Sequence, residues 1–161
     1  MERDAQEPDL QGLLVDWGGV LTTDVFTSFR AFCRNEGIEP TLVRDLFRHD
    51  PGGRRALFDL ETGTLTEPEF EQRFGELIGL REDRIPGLID RLFGGMRADV
   101  AMFEAVRAAK AAGRRTGLLS NSWGVDRYDR SHFPQLFDAV VISGEEGVRK
   151  PDRAIYELAI T

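Results

Sequence analysis

A short apolar run that ends in a carboxylate and two glycines most constrains what this chain can fold into. The run, residues 13–15 (Leu-Leu-Val), leads directly to Asp16, and Gly18 and Gly19 follow. A brief apolar run bounded by a polar segment and by glycines favours a buried parallel strand over a helix. Asp16 then lies at the carboxyl end of the strand, where open α/β sheets bind their ligands. The glycines permit a sharp turn and a close approach to a small anionic group.

Asp16 alone supports two interpretations. A strand-end carboxylate with exposed backbone amides beside it can act as a nucleophile toward phosphorus or carbon. An aspartate that only caps a turn explains the same pattern equally well. Further strand ends are needed to decide between these interpretations.

Composition narrows the class of protein and of partner. The 161 residues predict one compact domain, or a core with a modest insertion. A net charge of −7 without a basic stripe argues against nucleic acid as a partner. The single cysteine, Cys33, excludes an internal disulfide and predicts a cytoplasmic location. No apolar run approaches the roughly 18 residues that span a bilayer, so we expect no membrane partner. The polar residues 1–11 predict a flexible tail rather than a signal peptide.

Residues 23–98 carry helical patterns and no convincing strand. A threonine at position 22 or 23 is predicted to cap the first helix, and Thr66 with Glu69 forms a capping box for a later one. Residues 49–53, which include Pro-Gly-Gly, are predicted to be a loop. The expected helices span residues 24–36, 42–48, 54–60, 66–78 and 86–93. This segment is therefore predicted to be an all-helical insertion.

Strands and helices alternate after residue 99. The pattern predicts a helix over residues 99–112, strands over 115–119 and 139–142, a loop over 144–147, and a final helix over 152–160. This alternation is typical of a parallel sheet. The chain is therefore predicted to be an α/β protein. Its core comprises residues 12–22 and 99–161, and residues 23–98 are inserted into it.

Two further strand ends carry polar groups that suit an anionic ligand. Ser120 and Asn121 offer a hydroxyl and an amide to phosphate oxygens. Lys150 stands just before Pro151, which is predicted to open the last helix, and adds a positive charge. Taken singly, Ser-Asn is a common loop dipeptide and Lys150 suits a solvated surface. The shared strand-end position of Asp16, Ser120 and Lys150 argues against coincidence and predicts one common site.

Together these segments resemble the haloacid dehalogenase superfamily of hydrolases, which are mostly magnesium-dependent phosphatases. The resemblance rests on D-W-G-G-V-L at residues 16–21, L-L-S-N at residues 118–121, and I-S-G-E-E-G-V-R-K-P-D-R-A-I-Y at residues 142–156. L-E-T-G-T-L-T-E-P-E-F at residues 60–70 resembles the helical cap of the subgroup that carries its insert after the first motif. The resemblance implies a Rossmann-like three-layer α/β core with a parallel sheet, incomplete in this chain. It also implies an all-helical cap over residues 23–98.

The resemblance also implies roles for individual residues. Asp16 would form an aspartyl-phosphate and Ser120 would hold the phosphoryl group. Lys150 would stabilise the negative charges of the Asp16 carboxylate and of the phosphoryl group. Mg²⁺ would bind the Asp16 carboxylate and the backbone carbonyl of Gly18. Substrate contacts are implied at Gly18, Gly19 and Asn121. The implied activity is that of a magnesium-dependent phosphatase acting on a small phosphorylated metabolite, with the cap as a substrate-selecting lid.

Gly18 departs from the pattern of the superfamily. Its phosphatases usually carry there a second aspartate, which protonates the leaving group and then activates water. General acid-base catalysis is typically worth about 10²–10⁴-fold, so its loss matters least for an acidic leaving group. Asp24 is close in sequence, but its displacement by about one helical turn makes it a weak substitute.

The fourth motif of the superfamily is a strand with acidic magnesium ligands, and no such strand follows Lys150 in this chain. We therefore expect the chain to be a truncated piece of a longer protein, with a weak magnesium site and poor hydrolysis of phosphate esters. The strand at residues 13–15 would then have an unpaired edge. Such an edge invites self-association with a second molecule.

Two other functions stay open at the level of sequence. A dehalogenase-like displacement at carbon would need Asp16 but no metal, and relatives of that type also lack the second aspartate. A catalytically inactive binding module would need only the fold. Trapping of a phosphoenzyme would separate the phosphatase from the binding module, and release of halide would mark the dehalogenase.

Overall fold

The computed structural model describes residues 12–160, so the tail predicted at residues 1–11 lies outside the described part of the chain. The described strands are β1 (Gly12–Val15), β2 (Arg115–Ser120) and β3 (Ala139–Ile142), in the order β1-β2-β3. Both neighbouring pairs are parallel. The α/β class predicted from the alternating pattern is confirmed. All three strands end at the same edge of the sheet, the edge to which Asp16 belongs.

Helices connect and surround these strands. They are α1 (Val25–Glu36), α2 (Leu42–His49), α3 (Pro51–Glu61), α4 (Glu67–Leu77), α5 (Leu88–Phe93), α6 (Val100–Ala111), α7 (Phe133–Leu136), α8 (Ser143–Glu146) and α9 (Arg153–Ile160). Short 3₁₀ turns span Glu82–Arg84, Val125–Arg127 and Arg130–His132. Among residues 12–160, no helix is long and apolar enough to cross a membrane.

The sheet is covered on both faces, which gives the core three layers. Successive side chains of a strand point to opposite faces, so Leu118 and Leu119 of β2 face opposite sides. Leu118 packs with Val106 of α6 and Leu136 of α7. Leu119 packs instead with Ile155 of α9. This is the Rossmann-like arrangement that the sequence predicted.

Helices α1 to α5 enclose a separate hydrophobic cluster rich in phenylalanine. The rings of Phe47 and Phe74 stack with their centroids 4.5 Å apart, and those of Phe70 and Phe74 lie 5.3 Å apart. The fully buried members are Cys33, Val43, Ala56, Phe70, Phe74, Leu88, Ile89 and Leu92. Because these helices bury their apolar faces against one another, they form a helical region with a core of its own. Cys33 is buried, in agreement with a structural role.

The cap of α1 corrects the sequence prediction. The N-cap is Asp24, whose carboxylate oxygens accept from the amides of Phe26 at 3.2 Å and Thr27 at 2.9 Å. The predicted threonine cap was wrong because Thr22 belongs to the preceding turn, where its hydroxyl accepts from the amide of Gly19. The capping box of Thr66 and Glu69 on α4 is confirmed.

Two loops predicted around glycines are helical instead. Helix α3 begins at Pro51 because Asp50 accepts from the amide of Gly53 at 2.7 Å and because proline suits a first helical turn. A Cβ atom at Gly53 would lie 2.6 Å from the Leu46 carbonyl oxygen, so glycine here permits the close approach of α2. Residues 143–146 form α8, which the glycines of that segment had led us to predict as a loop.

Strand β1 lies at one side of the described sheet and pairs with β2 alone among the described strands. Leu13 and Leu14 are 39% and 41% exposed, although both are apolar. The sequence predicted this open apolar edge. Self-association through the edge stays a prediction.

Candidate active site

Asp16 and Lys150 form an ion pair at the carboxyl edge of the sheet. The Lys150 Nζ atom lies 2.8 Å from Asp16 Oδ2 and also donates to the Leu119 carbonyl oxygen at 2.8 Å. The amide of Trp17 donates to Asp16 Oδ1 at 2.7 Å. The Asp16 side chain is 42% exposed, whereas that of Lys150 is 20% exposed. The carboxylate is therefore held by two donors and still open to a ligand.

The turn after Asp16 brings backbone to the rim of the site. The Trp17 carbonyl oxygen accepts from the amides of Leu21 at 2.9 Å and Thr22 at 3.2 Å. Gly19 adopts a positive φ of 78°, a conformation that favours glycine. Gly18 and Gly19 are both exposed. An anionic group bound at Asp16 can thus approach this backbone without meeting a side chain at either glycine.

Ser120 reaches the same edge from the end of β2. Its hydroxyl lies 2.9 Å from the Tyr128 hydroxyl. Burial, the largest cause, raises the pKa of Tyr128 to about 12, and the nearby Asp16 charge adds to this effect. The phenol is therefore protonated at neutral pH and can donate to Ser120, whose own hydroxyl donates weakly to the Asn121 carbonyl oxygen at 3.5 Å and can turn to a ligand oxygen instead.

Asn121 links two of the strand-end loops. Its Oδ1 atom accepts from the Lys150 amide at 2.8 Å, and its Nδ2 atom donates to the Lys150 carbonyl oxygen at 3.2 Å. The sequence had predicted a substrate contact for this amide. In the structure both ends of the side chain hold the backbone of Lys150, so Asn121 acts first as a positioning group for the lysine.

A cavity of about 460 Å³ opens over these residues, within the size range of small-molecule sites. Asp16, Ser120 and Lys150 all line it, as do Gly18 and Asn121. Apolar and aromatic side chains form much of the remaining wall, namely Trp17, Leu21, Val25, Phe93, Met96, Phe103 and Trp123. Asp16, Gly18, Ser120, Asn121 and Lys150 therefore come together at one cavity, whose wall also carries the polar side chains of Thr22, Arg97 and Arg127. Gly19, for which a substrate contact was predicted, is not among its lining residues.

Glu61 also lines this cavity, although it was not predicted from the sequence as a site residue. It is the last residue of α3 and is 5% exposed. Its Oε2 atom lies 2.7 Å from Arg149 Nη1 and 3.4 Å from Asn121 Nδ2. Burial raises its pKa to about 7, although the charges of Arg149 and Lys150 oppose this shift. The available signal was the sequence L-E-T-G, which was assigned only to the cap as a whole.

The helical region is fastened to the core around the cavity. Trp123, in the loop after Asn121, lies among the aromatic rings of the helical region, with centroids 4.9 Å from Phe93 and 5.4 Å from Phe47. Arg127, in the same loop, pairs with Glu67 and with Asp90 at 2.7 Å. The cavity wall is thus built jointly by the core loops and the helical region.

The described residues do not form a complete magnesium site. Asp16 supplies one carboxylate, and the Gly18 carbonyl is the other ligand that the sequence suggested. Residues 12–160 hold no cluster of three or more His, Cys, Asp or Glu side chains suited to a metal. Mg²⁺ prefers near-octahedral oxygen coordination, which these two groups alone do not provide. Magnesium at this site stays a prediction.

Comparison with characterised sequences gives one curated relative. No protein-family model matches the chain. The sesquiterpene phosphatase astK of Aspergillus oryzae is 29% identical over 100 residues, which cover 60% of this chain and 51% of the relative. The matched region thus spans about half the length of that relative.

Solved structures resemble nearly the whole described chain. A HAD family enzyme from Bacteroides thetaiotaomicron has a TM-score of 0.63 at 17% identity, covering 92% of this chain and 75% of that one. A HAD-like hydrolase from Porphyromonas gingivalis has a TM-score of 0.59 at 24% identity, covering 92% and 73%. A dehalogenase has a TM-score of 0.61 at 22% identity, covering 93% and 70%. The chain therefore has the fold of the haloacid dehalogenase-like hydrolases.

Proposed function

We propose that this protein is a phosphatase that hydrolyses the phosphomonoester of an apolar alcohol through an aspartyl-phosphate at Asp16. The observation that carries the proposal is the 2.8 Å pair of Asp16 and Lys150, in the wall of a cavity that Ser120 also lines. A nucleophile, a hydrogen-bond donor and a cation around one point are the groups that phosphoryl transfer requires.

The residues suit the two halves of such a reaction. Asp16 Oδ1 and Oδ2 are held by Trp17 and Lys150, so the carboxylate is oriented before the substrate arrives. In the first step an Asp16 oxygen attacks phosphorus and the ester P–O bond breaks. In the second step water attacks the aspartyl-phosphate and releases inorganic phosphate. The Lys150 charge and the Ser120 hydroxyl stabilise the phosphoryl oxygens throughout.

The apolar wall supports an apolar alcohol as the leaving group. Phe93, Met96 and Phe103 line the cavity, and burying such surface stabilises a hydrocarbon by about 25 cal/mol per Å². The curated relative is itself a sesquiterpene phosphatase, whose substrate class combines a phosphate with a hydrocarbon.

Magnesium dependence is a separate part of the proposal. The Bacteroides structural relative has been crystallised with magnesium and inorganic phosphate. In this chain the ion would bind Asp16 and the Gly18 carbonyl and would neutralise phosphate charge. No step above is assigned to it, since the described residues lack a full ligand set. We expect EDTA to abolish turnover and added Mg²⁺ to restore it.

Trapping of the covalent intermediate tests the proposal. The full-length protein is mixed with a radiolabelled long-chain alkyl phosphate and quenched in acid, in which an acyl phosphate survives. We expect label on the wild type and none on Asp16→Asn, whose turnover falls about 10³-fold or more. Asp24→Asn is the control, because Asp24 caps α1 outside the cavity wall and asparagine also caps helices.

Other outcomes would favour the other functions. Halide release from 2-haloacids that depends on Asp16, without a phosphoenzyme, would indicate a dehalogenase. Binding of an alkyl phosphate with neither label nor turnover would indicate an inactive binding module. Either result would overturn the proposed phosphatase.

A further inference from the structure

The position of Gly18 leaves the proposed reaction without a group that protonates the leaving alkoxide. An apolar alcohol is a poor leaving group, so the proposed substrate class needs such a proton donor. A side chain at position 18 would project toward the helical region, since a Cβ atom there would lie 3.2 Å from Val25 Cγ2. The missing donor must therefore come from another residue on the cavity wall.

Glu61 lies in the cavity wall at the end of α3, where two side-chain contacts and one backbone contact fix its position. Arg149 and Asn121 contact its Oε2 atom. The Ser143 hydroxyl donates to its backbone carbonyl and accepts from the Ser122 amide at 2.9 Å. The end of α3 is therefore fixed to the loops that follow β2 and β3.

Gly63 explains how α3 can approach the core so closely. It has a positive φ of 72°, and a Cβ atom there would lie 2.6 Å from the Gly144 carbonyl oxygen. Any other residue would force the turn after Glu61 away from the core. The motif L-E-T-G thus supplies both the carboxyl group and the glycine that lets it reach the strand ends.

Two residues connect Glu61 to the nucleophile. Glu61 contacts Asn121, Asn121 holds the backbone of Lys150, and Lys150 pairs with Asp16. Because Arg149 and Asn121 both contact Oε2, the other carboxyl oxygen, Oε1, is the one that would meet a substrate. The charged groups that act on Glu61 are Arg149, Lys150 and Asp16.

From this geometry we infer that Glu61 is the general acid and base of the proposed phosphatase, supplied by the helical region in place of an aspartate at position 18. The inference rests on the proposed function. The protonated carboxyl donates its proton to the leaving oxygen as the ester P–O bond breaks and Asp16 gains the phosphoryl group. The resulting carboxylate then takes a proton from the water that attacks the aspartyl-phosphate. Alcohol and inorganic phosphate leave, and both carboxyl groups return to their starting states.

Protonation equilibria are compatible with this cycle. Burial, opposed by Arg149 and Lys150 and reinforced by Asp16, raises the Glu61 pKa to about 7. A group with that pKa is present in both forms near neutral pH, which suits a residue that must donate and then accept a proton.

The dependence on the leaving group distinguishes an acid from a merely structural residue. We compare n-octyl phosphate, whose alkoxide needs a proton, with p-nitrophenyl phosphate, whose phenolate does not. Glu61→Gln keeps the shape of the side chain and removes the titrating proton. We expect the rate of phosphoenzyme formation, measured in a single turnover, to fall about 10²–10⁴-fold for octyl phosphate and less than about tenfold for p-nitrophenyl phosphate, because only the first step depends on the leaving group.

Glu67→Gln is the matched control, because Glu67 also joins the helical region to the core, through Arg127, but does not line the cavity. We expect it to change the two rates by the same small factor. Equal losses in the rate of phosphoenzyme formation from both substrates in Glu61→Gln, or no loss with either, would overturn the inference and leave the phosphatase in place. Failure of the wild type to hydrolyse either substrate would overturn the proposed function and this inference with it.

Discussion

The two regions that meet at the cavity each contribute one carboxyl group, and the two groups lie in opposite environments. Asp16 follows a strand of the core, is 42% exposed as a side chain and pairs with Lys150. Glu61 ends a helix of the helical region, is 7% exposed as a side chain and pairs with Arg149. Burial outweighs that pairing and raises the pKa of Glu61 to about 7.

The proposed roles of the two carboxyl groups depend on this difference in environment. A carboxylate in contact with solvent and with a cation is suited to attack phosphorus. A buried carboxyl group retains its proton to higher pH and is suited to donate it. Pairs of carboxyl groups in contrasting environments are a recurring basis for acid and nucleophile roles in hydrolases.

Removal of the Lys150 charge should reduce turnover most, because it changes the environment of Asp16 directly. In Lys150→Met, Asp16 loses its cation and the phosphoryl oxygens lose a stabilising charge. We expect kcat to fall about 10²–10³-fold on an alkyl phosphate. Steady-state kinetics at saturating substrate measures this.

Lys110→Met is the control for that variant. It removes the chain's other lysine, which pairs with Asp138 at 2.9 Å away from the cavity. We expect its kcat to stay within about twofold of the wild type. Equal losses in the two lysine variants would contradict a specific role for Lys150.

A smaller effect is expected on the free energy of unfolding, which should depend on pH through the Glu61 carboxyl group. The folded pKa of Glu61, about 7, is above its usual value of 4.5, so the folded state binds this proton more tightly. The stabilisation is complete below pH 4.5 and is lost as pH rises through 7. The loss is at most about 3 kcal/mol of unfolding free energy.

Glu61→Gln removes this titrating group. It therefore tests the buried environment of Glu61 without an assay of activity. Urea unfolding from pH 4.5 to 8 should show the variant gaining stability relative to the wild type as pH rises. Glu67→Gln should follow the wild type in parallel. Parallel curves for all three proteins would show that Glu61 is not held in a desolvated environment.

The smallest change in stability is expected at the apolar edge of the sheet. This edge is exposed, whereas the apolar side chains of the helical region are buried against one another. Leu13 is 39% exposed on β1, and Leu13→Lys places a charge on that edge. We expect the unfolding free energy to change by less than about 0.5 kcal/mol and self-association by light scattering to decrease. Leu158→Lys, on an exposed position of α9, is the control. A wild type that is monomeric at all concentrations would contradict the association through this edge.

Local patterns determined the elements of the core and the residues that end them. The apolar runs before Asp16 and Ser120 and the β-branched run over residues 139–142 predict the observed strands, because short apolar runs bounded by turn residues favour strands. The first strand was predicted to be buried, but Leu13 and Leu14 are 39% and 41% exposed because β1 pairs with β2 alone among the described strands. Parallel strands place their carboxyl ends at one edge, so the meeting of Asp16, Ser120 and Lys150 also followed from the sequence. Where glycines dominated the pattern, as before Arg54 and after Ser143, the predicted loops were wrong because caps and tertiary contacts supported helices.

Only the tertiary structure decided the role of residues whose environment comes from distant parts of the chain. Glu61 and Arg149 are far apart in sequence, and the burial that raises the pKa of Glu61 arises only when α3 docks on the loops after β2 and β3. Trp123 likewise could pack on a ligand or on the helices, and the fold places it among the rings of Phe47 and Phe93. Desolvation and long-range contact are properties of the folded chain, so no local pattern encodes them.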